Sequence, residues 1–521
     1  MVSKMPNRKY AYYRDDQIMF LVTHEKNSIS DGQLNEFSKE IAMDLKGGTI
    51  KRLPQVFSFP KLTDQEQKGD QRSLAVDDAE LFMSPFSIIN CNITNGPDDP
   101  TELMDIIGVL NENLQGQTLA GLTVRGVSPN WLTSVASQGG ATGGAPSGGR
   151  PPRHFLGNRK TVPYLFGDLL MSLHTHGLDG DGTGVDVVIL DTAPSGHDLV
   201  AAPKEWPDHP IISSLLGPNG KLHLYPASYK ELLRMGNTSL NTYDYKLTDH
   251  GLFVAGIVHS IAPKADIHLI EAMNHCGVGD FMSIVQGLQK VRTEIYDPRR
   301  RLVINCSWIL EMPCDDLHCR HTNQLGDPDA DFERAVLEFS KSSQATHVML
   351  EFLFNHFYAL GSQAIAAAGN DGKKEHKQRL ASRYPAALEN VMEVEATPGI
   401  LEDQNYKKYR TSLYSKQFDR SRSKVSMPLT RQDKDEEGVL SVYIGEFPDG
   451  SPNTSKWAWW SGTSFMTPIL TATVAAVLSS SDQIVITQDA IEELYNSEII
   501  EDAEMDLITD DSEAVMVVTP N

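Results

Sequence analysis

Four short segments of the 521-residue sequence carry an aspartate, a histidine, an asparagine and a serine in settings suited to chemistry. VVILDTAPSGHDL (187–199) closes an apolar run with Asp191. A carboxylate at the carboxyl end of a buried parallel strand is where α/β sheets put their sites. DHGLFVAGIVHSIAPKADIHLI (249–270) puts His250 at the head of an apolar helix, followed by an Ala-Pro turn and another strand. AIAAAGNDG (364–372) is a small-residue strand that releases Asn370 into a loop. SGTSFMTPILTATVAAVL (461–478) sets Ser464 in the first turn of an apolar helix. Backbone N–H groups there, with the Asn370 amide, can hold a negative oxygen. Cleaving a peptide by acyl transfer needs a nucleophile, a base, a group that orients the base, and oxyanion donors. Ser464, His250, Asp191 and Asn370 fill those roles in turn. Each alone has a bland reading, since an aspartate after a strand is usually a cap and a lone histidine is usually structural. The case rests on the four contexts together.

These segments resemble the subtilisin-like serine peptidases, the subtilases. The motifs of that family run from an aspartate in D-[TS]-G, through a histidine in H-G-T-H-V-A-G and an asparagine in A-A-G-N, to a serine in G-T-S-M-A-x-P. The order matches, and so does the GHDL after Asp191. VINCSW (303–308) resembles the family strand that lines the substrate cleft, and YPAALENVMEVEAT (384–397) the strand and loop after the oxyanion asparagine. The resemblance spans roughly residues 165–498. It implies a serine endopeptidase acting on proteins or peptides, with Asp191, His250 and Ser464 as triad and Asn370 in the oxyanion hole. It also implies that Ser307, Trp308, Ile309, Ala368 and Gly369 meet the substrate. No metal or organic cofactor enters the chemistry; the structural calcium that members often carry has no site placed by this sequence. Three motif positions depart from the family: Phe253 replaces its second histidine, Ala193 its glycine after the aspartate, and Ile469 its histidine after the proline. None of them transfers a proton. Ile309 stands where the family usually has glycine, so the specificity at the cut is not legible.

The elements that must position these residues alternate strand and helix. GVDVVIL (184–190), RLVINCSW (301–308), QAIAAAG (363–369) and NVMEVEAT (390–397) read as buried strands. Helices are expected over 251–261, 281–295 and 330–340. The expected fold is α/β, a doubly wound, mostly parallel sheet of subtilisin-like type, with helices on both faces. A small α+β module precedes it. IMFLVTH (18–24) is strand-like, and Ser30 and Gln33 have capping-box spacing ahead of Leu34, Phe37, Ile41 and Leu45. Strands follow at 49–57 and 81–94, a helix at 101–114 and a last strand at 119–126. The order βαββαβ is ferredoxin-like. Residues 139–153, GGATGGAPSGGRPPR, read as an exposed linker. The expected division is a domain at 1–131, a linker at 132–160, a peptidase domain at 161–498 and an acidic tail at 499–521. By analogy with subtilase propeptides, the first domain is expected to act as an inhibitory prodomain and make the chain a zymogen. The other reading is a permanent recognition domain on a tether.

Composition bounds the rest. A net charge of −23 disfavours nucleic acid and anionic membranes as partners. Residues 482–521 alone hold twelve Asp and Glu and no Lys or Arg. The most apolar run, 469–478, is half the roughly 20 residues of a membrane span. No apolar core follows the first charges as in a secretory signal, and five cysteines are no disulfide framework, so a cytoplasmic location is expected. Cys314, His318, Cys319 and His321 are metal-ligand types whose spacing fits no common zinc module. His197, His259, His268 and His275 are expected to be structural or exposed, and Trp457, Trp459 and Trp460 to pack. Two rivals are weighed. A Ser-Glu-Asp peptidase is disfavoured by the motif around His250, and an inactive protease-fold scaffold by a complete triad.

Overall fold

The apolar run ending in Asp191 forms the strand Val185–Asp191, buried throughout, in a computed structural model of the chain. The structure describes residues 2–4, 12–44, 49–50, 55–63, 65–68, 84–94, 100–135, 152–155, 166–227, 247–310, 330–370, 382–397, 400–403, 406–409, 424–428, 438–504 and 512–516. Chain contacts divide it into two units. One comprises Met1–Leu132, Asp280–Glu294 and Leu310–Leu360, and the other Thr133–Gly279, Ile295–Ile309 and Gly361–Asn521.

The second unit is built on a parallel sheet. Its strands run, side by side, Leu222–Tyr225, Asp266–Glu271, Val185–Asp191, Arg301–Cys306, Ala364–Ala367, Val391–Thr397, Lys424–Pro428 and Ser512–Met516. Ile500–Glu504 closes the edge, antiparallel to Ser512–Met516. This is the mostly parallel α/β sheet that the sequence leads one to expect. The acidic C-terminal segment therefore contributes two strands, anchored where Ile499 and Ile500 are buried. Central strands buried on both faces read as unbroken apolar runs, which makes them legible. The helix Thr463–Ser480 is buried from Thr463 to Leu478 and packs on several of these strands. It is long and apolar enough to cross a membrane, and 89% of it is buried inside the protein. Its threonines do not break it. Thr467 and Thr473 each return a hydroxyl hydrogen bond to the carbonyl four residues back, and the Thr471 hydroxyl shares its proton between the Thr467 carbonyl and Asn305 Oδ1, so none of the three is orphaned.

In the first unit, Tyr12–Thr23, Phe86–Thr94, Gln55–Phe59 and the strand Leu122–Val135 as far as Leu132 form an antiparallel sheet. The spatial order is Leu122–Val135, Tyr12–Thr23, Phe86–Thr94, Gln55–Phe59. Helices Asp31–Asp44 and Pro100–Leu114 complete a βαββαβ chain order. The capping box forms as expected, with Ser30 Oγ accepting from the Gln33 N–H at 3.3 Å and Gln33 Oε1 accepting from the Ser30 N–H at 3.3 Å. Leu34, Phe37, Ile41, Leu103, Ile107, Leu110 and Leu114 face inward; Leu45 lies outside the residues whose side chains are described.

Several features differ from expectation. The helix expected at 330–340 runs over Ala330–Ala359, and it and Phe281–Lys290 pack in the first unit rather than joining the helices that cover the parallel sheet. Phe86 meets Phe352 at 5.4 Å, the Thr346 hydroxyl accepts from Trp131 Nε1 at 2.9 Å, and Arg292 pairs with Glu66 at 2.8 Å. The last strand does not stop near residue 126 but continues to Val135. Arg153–His154 also forms a strand, paired with Ala458 and Trp459. Residues 136–151, most of the Gly-rich segment, lie outside the described residues, as does the cluster Cys314, His318, Cys319 and His321.

Candidate active site

The strand Val185–Asp191 delivers its carboxylate to the first residue of the helix His250–Ile261. Asp191 accepts from His250 Nδ1, with Oδ1 at 2.8 Å and Oδ2 at 2.9 Å, and Oδ1 also accepts from the Thr192 N–H at 2.6 Å. A carboxylate on Nδ1 fixes the proton there and leaves the lone pair on Nε2. His250 Nε2 is buried and has no hydrogen-bond partner among the described residues. Close approach of strand and helix depends on Gly251, because a Cβ there would collide with the Thr192 carbonyl. The Thr192 hydroxyl ties the same junction, donating to the Leu247 carbonyl at 2.8 Å and accepting from the Gly251 N–H at 3.3 Å.

The serine helix begins after Gly462, whose φ of 145° is a conformation side chains rarely adopt. Asn370 holds its first turn. Its Oδ1 accepts from the Thr463 N–H at 3.0 Å and from the Thr463 hydroxyl at 3.1 Å, and two donors on one atom identify it as the oxygen. The Ser464 hydroxyl donates to the Ser307 carbonyl at 3.1 Å, and the Ser307 hydroxyl donates back to the Ser464 carbonyl at 2.8 Å. Beneath them Asn305 Nδ2 donates to Ser307 Oγ at 2.9 Å, and the Thr471 hydroxyl donates to Asn305 Oδ1 at 3.0 Å.

Aromatic rings wall the histidine. The His250 ring lies 5.3 Å from Trp460 and 5.0 Å from Phe465, the residue after the serine. Phe253 fills the same cluster, 4.9 Å from Phe465 and edge-on to Trp460. Where the sequence departs from the family histidine, the space is packed by carbon. Trp457 and Trp459 are buried as well. Asp191, His250, Asn370, Ser464, Ser307, Trp308, Ile309 and Ala368 are all 0% exposed, and Gly369 is buried. Ile309 packs on Ala367.

Of the four other histidines singled out in the sequence, two are held in hydrogen bonds and two are exposed. His259, buried, pairs with the Ser214 hydroxyl at 2.7 Å, and burial pushes its pKa down to about 4. His268 bridges Asp186 and Tyr225, while His197 and His275 are exposed. Among the described residues no three His, Cys, Asp or Glu side chains are grouped to hold a metal.

Sequence reasoning missed Asn305, Thr471 and Asp249. Asp249 precedes His250, is buried, and takes the Ile444 and Gly445 N–H groups on Oδ2 at 2.7 and 2.6 Å. Burial raises its carboxyl to about 6, against the pull of those two N–H groups and Lys456. Its place directly ahead of the histidine was the available signal.

The family model described as the subtilase family matches residues 182–510. Among solved structures, the chain is similar to a cold adapted subtilisin-like serine proteinase. The identity is 15% and the TM-score 0.35, over 66% of this chain and 98% of that one. It is also similar to a lanthipeptide protease at 15% identity and TM-score 0.36, over 66% and 90%. No curated protein matches it.

Proposed function

The chain belongs to the subtilase family of serine peptidases, and we propose that it is an endopeptidase whose triad is Asp191, His250 and Ser464. The observation that carries this reading is the buried Asp191–His250 pair, which leaves Nε2 without a partner beside the first turn of the serine helix. Rotation of the Ser464 side chain away from the Ser307 carbonyl brings its proton to Nε2. Catalytic hydrogen bonds commonly form only once substrate is bound. Attack on the scissile carbonyl then makes an imidazolium that Asp191 stabilises, and His250 hands the proton to the leaving amine. Water, deprotonated by His250, releases the acyl group from Ser464. The Asn370 amide and the N–H groups of the first turn are the oxyanion donors in this reading.

Residues 1–131 are proposed to restrain the enzyme as a ferredoxin-like prodomain. Two helices from inside the family-matched stretch, Phe281–Lys290 and Ala330–Ala359, pack in one unit with them. The chain then enters the peptidase unit at Thr133, and the Val135 N–H donates to the Gly277 carbonyl at 3.0 Å. The peptidase reading is tested by labelling with a serine-reactive fluorophosphonate and by casein hydrolysis. Both should be present in wild-type protein and absent in Ser464→Ala, and labelling that survives the substitution overturns it.

A further inference from the structure

A cavity of about 670 Å³ opens in the peptidase unit against Thr248 and Asp249, the two residues ahead of His250 in the chain. Its walls come from the helix Gly196–Glu205, the residues just before His250, and the loop after the strand Val439–Val442. Asp198, Glu205 and Glu446 stand exposed at its rim, and buried Asp249 lines it. Trp206, Tyr443 and Phe447 supply aromatic surface. We infer that this cavity takes a cationic side chain, arginine or lysine, of the peptide substrate. The inference rests on the peptidase reading and specifies its substrate class.

Four observations carry it. The first is the charge balance. Four carboxylates line the cavity against one basic group, exposed His197, 3.6 Å from Asp198, and neighbouring Lys456 has its Nζ already committed to the Ile444 carbonyl at 3.0 Å and to the Trp206 ring at 4.0 Å. The second is Asp249 itself. It is 5% exposed, its Oδ2 takes both loop N–H groups, and its Oδ1 makes no hydrogen bond among the described residues. A carboxylate desolvated to that degree is stabilised by a cation brought to its free oxygen. The third is the seat of Lys456 on Trp206, which shows that this wall tolerates an organic cation against an aromatic face and a carbonyl. The fourth is geometry. The carboxylates are spread around the cavity, with no three grouped to hold a metal, so they suit an elongated organic cation rather than a metal ion. Asp249 adjoins His250 in the chain. The occupant therefore belongs to a residue within a few positions of the bond that is cut, an extended peptide advancing about 3.3 Å per residue.

The test uses blocked alanine-rich decapeptides in which one arginine, or its neutral isostere citrulline, is moved through each position around the cut. At one position the full-length enzyme should show kcat/KM at least about 10-fold higher for arginine than for citrulline, as expected for a charge-assisted contact. The ratio should shrink with added salt and fall toward one in Glu205→Gln/Glu446→Gln, both sites being exposed. Asp198→Asn serves as a second variant. A ratio within two-fold at every position, or one that both variants keep, overturns the proposal. Binding of the same peptides to Ser464→Ala protein, read by fluorescence anisotropy, needs no turnover. Fluorophosphonate labelling with no arginine preference in rate or binding sinks the cavity alone. Arginine-selective binding with no labelling sinks the peptidase reading and keeps the cavity.

Discussion

The Ser464 hydroxyl donates to the Ser307 carbonyl while the Ser307 hydroxyl donates to the Ser464 carbonyl, a reciprocal pair between the residue after the strand Arg301–Cys306 and the helix Thr463–Ser480. The second bond has a cause in the sequence. Pro468 lies four residues after Ser464 inside the helix and has no N–H, so the Ser464 carbonyl lacks its helical donor. Ser307 supplies it, and is held for the purpose by Asn305 and, through Asn305, by Thr471.

Ser307→Ala should therefore leave a fully buried carbonyl unpaired and cost about 1–3 kcal/mol of stability in urea unfolding. Pro468→Ala restores the backbone N–H. In that background the same Ser307 substitution should cost clearly less. Additive effects of the two changes would show that the pair is not coupled as described.

Asn370 anchors Thr463 through its oxygen, and in the proposed mechanism its nitrogen donates to the oxyanion. Asn370→Asp keeps the acceptor and loses the donor, while Asn370→Ala loses both. Both variants should lower kcat by about 10²–10³ with KM little changed, because the donor is needed in the transition state. An aspartate variant with wild-type kcat would reduce Asn370 to an anchor.

How much of this is legible in the sequence depends on how local each cause is. Val185–Asp191 and His250–Ile261 can be read because every residue needed is in the run itself. The true end of the strand Leu122–Val135 is hidden because Gly126 and Pro129 look like breakers. In the sheet Pro129 pairs with Ile18 at a register irregularity, the kind of place a strand accommodates proline. The helix Ala330–Ala359 reads only to 340 because the following SKSSQ resembles a loop, yet Thr346, Met349, Leu350 and Leu353 beyond it are buried. That packing is against partners distant in sequence, and no periodicity reports it. The choice of the Ser464 hydroxyl between His250 and Ser307 is likewise a rotamer, invisible in residue types.

Asp249 makes a pH prediction. Its folded pKa of about 6 lies above the roughly 3.9 of a free aspartate, because burial disfavours the charge. A raised pKa contributes stability that is complete below about pH 4 and is lost as pH rises through 6, up to about 3 kcal/mol. In Asp249→Asn the side chain cannot titrate, and the amide oxygen still accepts the Ile444 and Gly445 N–H groups. The stability of that variant relative to wild type should grow between pH 4 and pH 7 by up to that amount. Histidines held near pKa 4, such as His209 and His259, are common to both proteins and cancel. A difference that stays flat with pH would remove the buried-charge assignment.

The last prediction concerns the joint between the N-terminal residues and the peptidase. Strands hold the chain on either side, through the Val135–Gly277 hydrogen bond and the pairing of Arg153 and His154 with Trp459 and Ala458. Between them the sequence is rich in glycine, serine and proline, the composition most open to proteolysis. If residues 1–131 are an inhibitory prodomain, wild-type protein should gain a new N-terminus between Leu132 and His154, while Ser464→Ala protein stays intact by mass spectrometry. The cut should not separate the pieces. Phe86 of the N-terminal sheet packs on Phe352, Trp131 is bonded to Thr346, and Glu66 is paired with Arg292, so the first unit draws its core from both sides of the cut. The fragments should co-elute on gel filtration, and activity should rise above its basal level when the N-terminal piece is removed or digested. Residues 1–131 added back in trans should inhibit, since they regain the two helices on which they pack. A fully active, uncleaved 521-residue chain would overturn the prodomain and leave a permanent N-terminal module in its place.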